Sequence, residues 1–278
     1  MKSLNKSILL FALIIAAAVF FIIIKQPLIS ILILGVYIIC KFYIRKYVRL
    51  SRKANRAYLS KDYKTALTLI EEASLIPTCN AKTISSFVFL TLKQGSPDNL
   101  LEKIDAILAN NTTLKQKDRN FIELHKALVY WNINDLDSAL KIAENIYKID
   151  KEPFTYELYG FFLIQKGDLE NAFNINLEGT KIPNSTKVIT TNLGETYFRQ
   201  GEIDKAADIF TSQIKEKVKF VEPHYYMGVI QHMRGEDETA LRTLESALYC
   251  PKSLLTSISA EDIKNRIFEI DPNFKIED

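Results

Sequence analysis

This chain of 278 residues is marked first by what it lacks: it has no acidic residue before Asp62, only nine glycines and only three cysteines. The missing acid splits the charge. Of 36 Lys and Arg, ten (Lys2, Lys6, Lys25, Lys41, Arg45, Lys46, Arg49, Arg52, Lys53 and Arg56) fall in the first 56 residues, and the remaining 26 face all 33 Asp and Glu. The folded remainder is therefore acidic, which excludes a uniformly basic binder of nucleic-acid phosphates. Cys40, Cys79 and Cys250 are odd in number and far apart, which excludes a disulfide scaffold and suits a reducing compartment. A hydrophobic content of 47% leaves no room for long disorder. Motifs of catalysis are missing as well. No Walker or dinucleotide fingerprint, His-Glu-x-x-His, Gly-x-Ser-x-Gly or Cys-x-x-Cys occurs.

Long hydrophobic runs are present, and only at the amino end. Ile8–Ile24 are 17 uninterrupted apolar residues, and a second apolar stretch from Leu28 to Ile44 is broken by Ser30, Gly35 and Lys41. Pro27 suits the first turn of a new helix and disfavours helical geometry at Gln26, so the chain is expected to reverse there into a helical hairpin. Read as two short membrane spans, the pair carries Lys2 and Lys6 before it and seven basic residues, Lys41 to Arg56, behind it. The positive-inside rule then places both termini in the cytoplasm, making a two-pass protein of the cell membrane. Lys41, Arg45, Lys46, Arg49, Arg52, Lys53 and Arg56 become contacts for anionic lipid, or a topology signal alone. Two alternatives stay open: a cleaved leader ending near Ala16-Ala17-Ala18, and a re-entrant hairpin.

Self-comparison organises the remainder. Gly160, Gly194 and Gly228 form one column at a period of 34 residues, Gly167, Gly201 and Gly235 a second, and Ala172, Ala206 and Ala240 a third. The first column lets two helices approach, the second ends a helix in left-handed geometry, and the third supplies the matching small contact. Three degenerate units precede these: one over Arg56–Ala66, one around Val88, Gly95 and Leu100, and one over Leu128–Ala139. A loop inserted near Asn110–Lys117 separates the last two. Ser259 followed by Asp262, Ile263 and Ile267 reads as a capped closing helix.

These columns resemble the tetratricopeptide repeat family. The resemblance covers about residues 49–252 and implies an all-α chain: an N-terminal transmembrane helical hairpin, then a solenoid of about six helix pairs with a C-terminal capping helix. The expected domains are a two-span anchor over 1–46 and a cytoplasmic solenoid over 47–278. Seven of the nine glycines fall in repeat columns, so none remains for a phosphate-binding loop. His224 and His232 stand two helical turns apart, too far to share a metal. Carboxylate pairs such as Glu71 and Glu72 or Asp135 and Asp137 read as solvated faces and turns. No cofactor, metal or enzymatic activity is expected.

The resemblance also implies that the first helix of each unit lines an inner groove that holds a partner peptide or helix. Groove positions are Tyr58, Phe89, Leu128, Trp131, Phe161, Gln165, Glu195, Phe198, Arg199, Tyr225 and His232, several of which could equally pack between units. Arg52, Asn55, Lys82, Asn192 and Arg199 are too scattered for a clamp on a C-terminal carboxylate. Aromatic lining favours an apolar peptide or amphipathic helix. The expected function is a membrane-anchored adaptor or scaffold for another protein. Its alternative is a subunit or assembly factor of an integral-membrane complex, recognised through the hairpin.

Overall fold

The computed structural model describes residues 2–44 and 46–276, with side chains from 11–39 and 46–276. Among the described residues there are fifteen α-helices and no strand. The chain divides into two compact units, Met1–Phe87 with Ile107–Thr113, and Val88–Ala106 with Leu114–Asp278.

The first unit opens with α1 (Lys2–Ile23) and α2 (Pro27–Ile44), which pack against one another. Pro27 is the first residue of α2, and Lys25 carries a φ of 60° in the turn before it. The hairpin seam is narrow: Ala18 and Ser30 are buried, the Ser30 hydroxyl donates to the Ala18 carbonyl at 2.6 Å, and the Phe11 and Tyr37 rings meet at 5.8 Å. The expected transmembrane hairpin and two-pass cell-membrane placement are not upheld. Among the described residues no helix is long and apolar enough to cross a membrane. The physical shortfall is length: 17 apolar residues rise about 25 Å against a hydrocarbon core of about 30 Å. The alternative function through a transmembrane hairpin loses its basis with the spans.

Behind the hairpin, α3 (Lys46–Leu59) pairs with α4 (Tyr63–Ser74). Lys61 takes a φ of 62° in their turn, and the Asp62 carboxylate caps α4 by accepting from the Thr65 amide at 3.1 Å. Ala66 is fully buried at the small-residue position, beside Ile70 and Ala73 on the same face. Asn111 holds the following loop in place, its amide donating to the Cys79 carbonyl at 2.9 Å. Burial pushes the Cys79 thiol up to about 11, so it is an inert packing residue at neutral pH. Helices α5 (Ala81–Gln94) and α6 (Leu100–Asn110) each contribute residues to both units.

In the second unit, four helix pairs follow in order: α7 (Gln116–Asn132) with α8 (Leu136–Tyr147), α9 (Pro153–Lys166) with α10 (Leu169–Gly179), α11 (Lys187–Arg199) with α12 (Ile203–Lys215), and α13 (Val221–Met233) with α14 (Asp237–Leu248). Their turns share one chemistry. Gly167, Gly201 and Gly235 adopt φ of 83°, 82° and 77°, and Asn134 takes the same left-handed position at 65°. An acidic residue then opens the second helix: Asp135 accepts from the Ser138 amide at 3.0 Å and Asp168 from the Asn171 amide at 3.2 Å. Closing the stack, α15 (Ala260–Ile270) starts from a reciprocal capping box between Ser259 and Asp262 and buries Ile263 and Ile267 against α13 and α14.

Candidate functional site: the inner helix layer and its resident strap

Packing within the second unit separates two layers. Helix α9 touches both α7 and α11, and α11 touches α13, so the first helices of successive pairs form a continuous layer. Each second helix touches the first helices on either side of it, while among the described residues no two second helices pack together comparably. This layer of first helices, the one that the repeat resemblance makes the inner layer, is α7, α9, α11 and α13.

Residues 251–259, between α14 and α15, run across this layer as an irregular strap. Among the described residues, no backbone hydrogen bond to another backbone group is donated between the Cys250 and Ile263 amides. Side chains hold the strap instead. Asn132 at the end of α7 donates to the Leu254 carbonyl at 3.2 Å, across 122 positions of sequence. The Leu254 side chain, 9% exposed, joins Leu124, Leu128, Phe161 and Phe162 in the cluster built from α7, α8 and α9, and Leu255 packs on that cluster. Two residues on from Leu254, the Thr256 side chain lies beside the carboxyl of Glu222 on α13 and favours its charged form. Ile258 then enters the cluster of α12 to α15 with Phe210, Tyr226 and Ile230. Four residues span at most about 14 Å, so the Leu254 and Ile258 anchor points lie no farther apart than that.

Beside the strap the layer carries a buried polar network. Glu195 on α11, 1% exposed, is paired with Arg199 one turn on (Oε1 to Nη2 2.7 Å and to Nε 2.9 Å), and the Gln165 amide of α9 approaches the same oxygen at 3.4 Å. The Tyr226 phenol of α13 interacts electrostatically with both members of that pair, and burial holds it well above its usual range. Glu222 differs. It is 8% exposed, has no cation against it, and its Oε1 has no hydrogen-bond partner among the described residues. Burial raises its carboxyl pKa, the neighbouring Thr256 side chain and its own backbone act the other way, and the Glu195 charge raises it further.

A raised carboxyl pKa means the folded chain holds this proton more tightly than the unfolded chain does, so Glu222 lowers stability as pH rises above the ordinary carboxyl value of about 4.3. Glu222→Gln should therefore melt higher than the natural chain at pH 8, with the gap narrowing steadily toward pH 4. Thermal melts of both proteins over that range check this; a gap independent of pH would show that Glu222 does not titrate as its burial dictates.

The residues expected to line a groove are dispersed. Trp131, Phe161, Gln165, Glu195, Phe198, Arg199, Tyr225 and His232 all lie on the four inner helices. Trp131 meets Phe161 edge-on at 5.0 Å, Phe198 meets Tyr226 at 4.8 Å, and Leu128 and Phe161 are buried in the cluster that Leu254 joins. His232 pairs with Asp237 of α14 at 2.6 Å, at the helix end. Tyr58 belongs to the first unit and meets the Tyr63 ring at 5.5 Å in a tilted arrangement, while Phe89 of α5 is 44% exposed with the Lys93 ammonium 5.0 Å above its ring. In the basic cluster, Lys46 pairs with Glu72 at 3.0 Å, Arg52, Lys53 and Arg56 face outward, and Arg49 is partly buried. Arg45 and the side chain of Lys41 lie outside the described residues.

The strap, Glu222 and Tyr226 were not evident from the repeat columns. The signal for the strap was present in Ser253-Leu-Leu-Thr-Ser-Ile258: Leu254, Thr256 and Ile258 alternate with period two inside a connection longer than most helix–helix turns. Among the described residues no group of three His, Cys, Asp or Glu is placed to hold a metal.

No family model matches the sequence, and no curated protein matches it. Solved structures do. A tetratricopeptide repeat protein from Parabacteroides merdae aligns over 95% of this chain and 99% of its own, with a TM-score of 0.62 at 15% identity. A thermophilic tetratricopeptide repeat protein from Thermus thermophilus aligns over 81% of this chain and 98% of its own at 16% identity, with a TM-score of 0.45. At such identities the likeness concerns architecture alone, and the first of these alignments carries it: the chain has a tetratricopeptide-like, all-α fold.

Proposed function

We propose that this chain is a protein-interaction scaffold whose inner helix layer, α7, α9, α11 and α13, binds an extended peptide of a partner protein. One observation carries the reading: the layer already holds an irregular peptide segment, its own residues 251–259, through buried aliphatic side chains and a hydrogen bond from Asn132. Trp131, Gln165, Phe198, Arg199 and Tyr225 are the inner-layer positions proposed to contact the partner, since they lie on these helices and retain partial exposure. Such a surface recognises backbone and side chains of a peptide and brings no chemistry of its own to bear.

A photo-reactive amino acid placed in the full chain at Phe198, on the inner layer, and at Lys141, on the outer side of α8, tests the assignment in cells. Partner adducts should form from position 198 and be absent from 141, and Gln165→Ala with Tyr225→Ala should reduce them. Equal adducts from both positions would refute the inner layer as the binding face.

A further inference from the structure

Resting on the reading of the inner layer as a peptide site, we infer that the strap is a resident pseudo-ligand: partner peptides carrying two branched aliphatic residues four positions apart, with a hydroxyl residue midway, bind by displacing Leu254, Thr256 and Ile258. The strap has the features of a bound peptide and few of a structural connection. Ser259 joins it to α15 through the capping box and by accepting from the Ile263 amide, but among the described residues none of the strap's own amides donates a backbone-to-backbone hydrogen bond. Its amides at Leu255 and Ile258 are instead satisfied locally, by the hydroxyls of Ser253 at 3.0 Å and Thr256 at 3.2 Å, so the segment can leave the layer without orphaning those groups.

Geometry sets the specificity. Residues four apart in a chain can stand at most about 14 Å from each other, and helices packed side by side are about 8–10 Å apart. Leu254 and Ile258 thereby reach different helix pairs, one cluster belonging to α7, α8 and α9 and the other to α12 to α15. Thr256 falls midway, at the one buried carboxyl of the layer that lacks a cation among the described residues, and the Oε1 of Glu222 still has an open acceptor position for a further donor from an incoming peptide. A covalently tethered segment competes at an effective concentration that a free peptide must exceed, commonly in the millimolar range for short tethers. The natural chain is thus self-occluded, and only a better-fitting or multiply attached partner gains entry.

The test uses a fluorescein-labelled synthetic peptide, Lys-Ser-Leu-Leu-Thr-Ser-Ile-Ser, copying residues 252–259. It is titrated by fluorescence anisotropy into the full chain, into Leu254→Asp, and into the milder Leu254→Ala with Leu255→Ala, each checked for helical content and cooperative melting. Either released variant should bind the peptide at least about tenfold more tightly than the natural chain, as removal of a tethered competitor requires, and Asn132→Ala added to it should weaken that binding. Equal tight binding by the natural and released chains would overturn the strap as a competitor while leaving the inner layer as a peptide site. A folded released variant that binds no peptide overturns both. Loss of cooperative folding in both variants overturns the proposal too, because the strap would then be an integral part of the core.

Discussion

Replacing Phe210 with alanine is expected to destabilise the second unit by about 3–5 kcal/mol, the cost of emptying a fully buried aromatic site. Phe210 of α12 has no exposed surface, lies 5.6 Å from the Tyr226 ring in a stacked arrangement only 14° from parallel, and fills the space that Gly194 leaves open on α11. The removed ring is thus shared by three consecutive helices, α11, α12 and α13. In a stack of repeats each pair is stabilised by its neighbours, so a weakened interface here uncouples the pairs on either side. Urea denaturation of the full chain, followed by far-ultraviolet circular dichroism, reads this as a fall in the midpoint. A loss below about 1 kcal/mol, well under the cost of an emptied aromatic site, would mean that α11, α12 and α13 do not share this core.

The second large effect is expected at Gly160. A β-carbon there would lie 2.0 Å from the Asn176 side-chain oxygen and 2.7 Å from its Cγ. Neither atom can yield freely, because Asn176 is itself fully buried on α10 and its amide reaches the Thr196 hydroxyl of α11 at 3.4 Å. Alanine gains about 1 kcal/mol over glycine in helix propensity, yet overpacking a closed contact costs about 1–3 kcal/mol and parts α9 from α10. Gly160→Ala should therefore lower stability despite its better propensity. Gly35→Ala is the matched control: among the described residues nothing lies within 4 Å of a β-carbon there, so it should be neutral or stabilising by up to about 1 kcal/mol. Opposite signs for the two substitutions support close approach as the reason for the glycine; equal signs contradict it.

How much of this was legible follows from what repeats. Gly167, Gly201 and Gly235 recur because each turn needs a left-handed residue, and a backbone requirement met three times writes itself into a column. The small residues Gly160, Gly194 and Gly228 recur for a related reason, one close contact per helix pair. Gly179 stood outside the columns, yet its β-carbon would lie 2.9 Å from both Ile189 and Tyr156. A contact made once leaves no period to detect. The strap shares that limit: it belongs to no repeat, and its partners lie up to 122 positions away, so only its alternating Leu254, Thr256 and Ile258 hinted that it was held on one side.

The amino-terminal hairpin shows the converse. Pro27 marked the helix start and the reversal correctly, because both follow from local backbone chemistry. Membrane crossing depends instead on the length of uninterrupted apolar helix, and among the described residues that requirement is not met. Register on the inner helices is less legible in the sequence. Tyr225 and Tyr226 are adjacent, so a helical rotation of about 100° decides which one reaches the Glu195–Arg199 pair, and the packing of Phe198 and Phe210 selects Tyr226.

The occupation of the inner layer by the chain's own strap is tested most directly by photo-crosslinking from position 255 in the otherwise natural full chain, with the adducts mapped by mass spectrometry. Leu255 is partly buried against the α7–α9 cluster, so adducts should fall on peptides from α7 or α9, which end at Asn132 and Lys166, far away in sequence. Adducts confined to α14 and α15, the strap's neighbours in sequence, would contradict it.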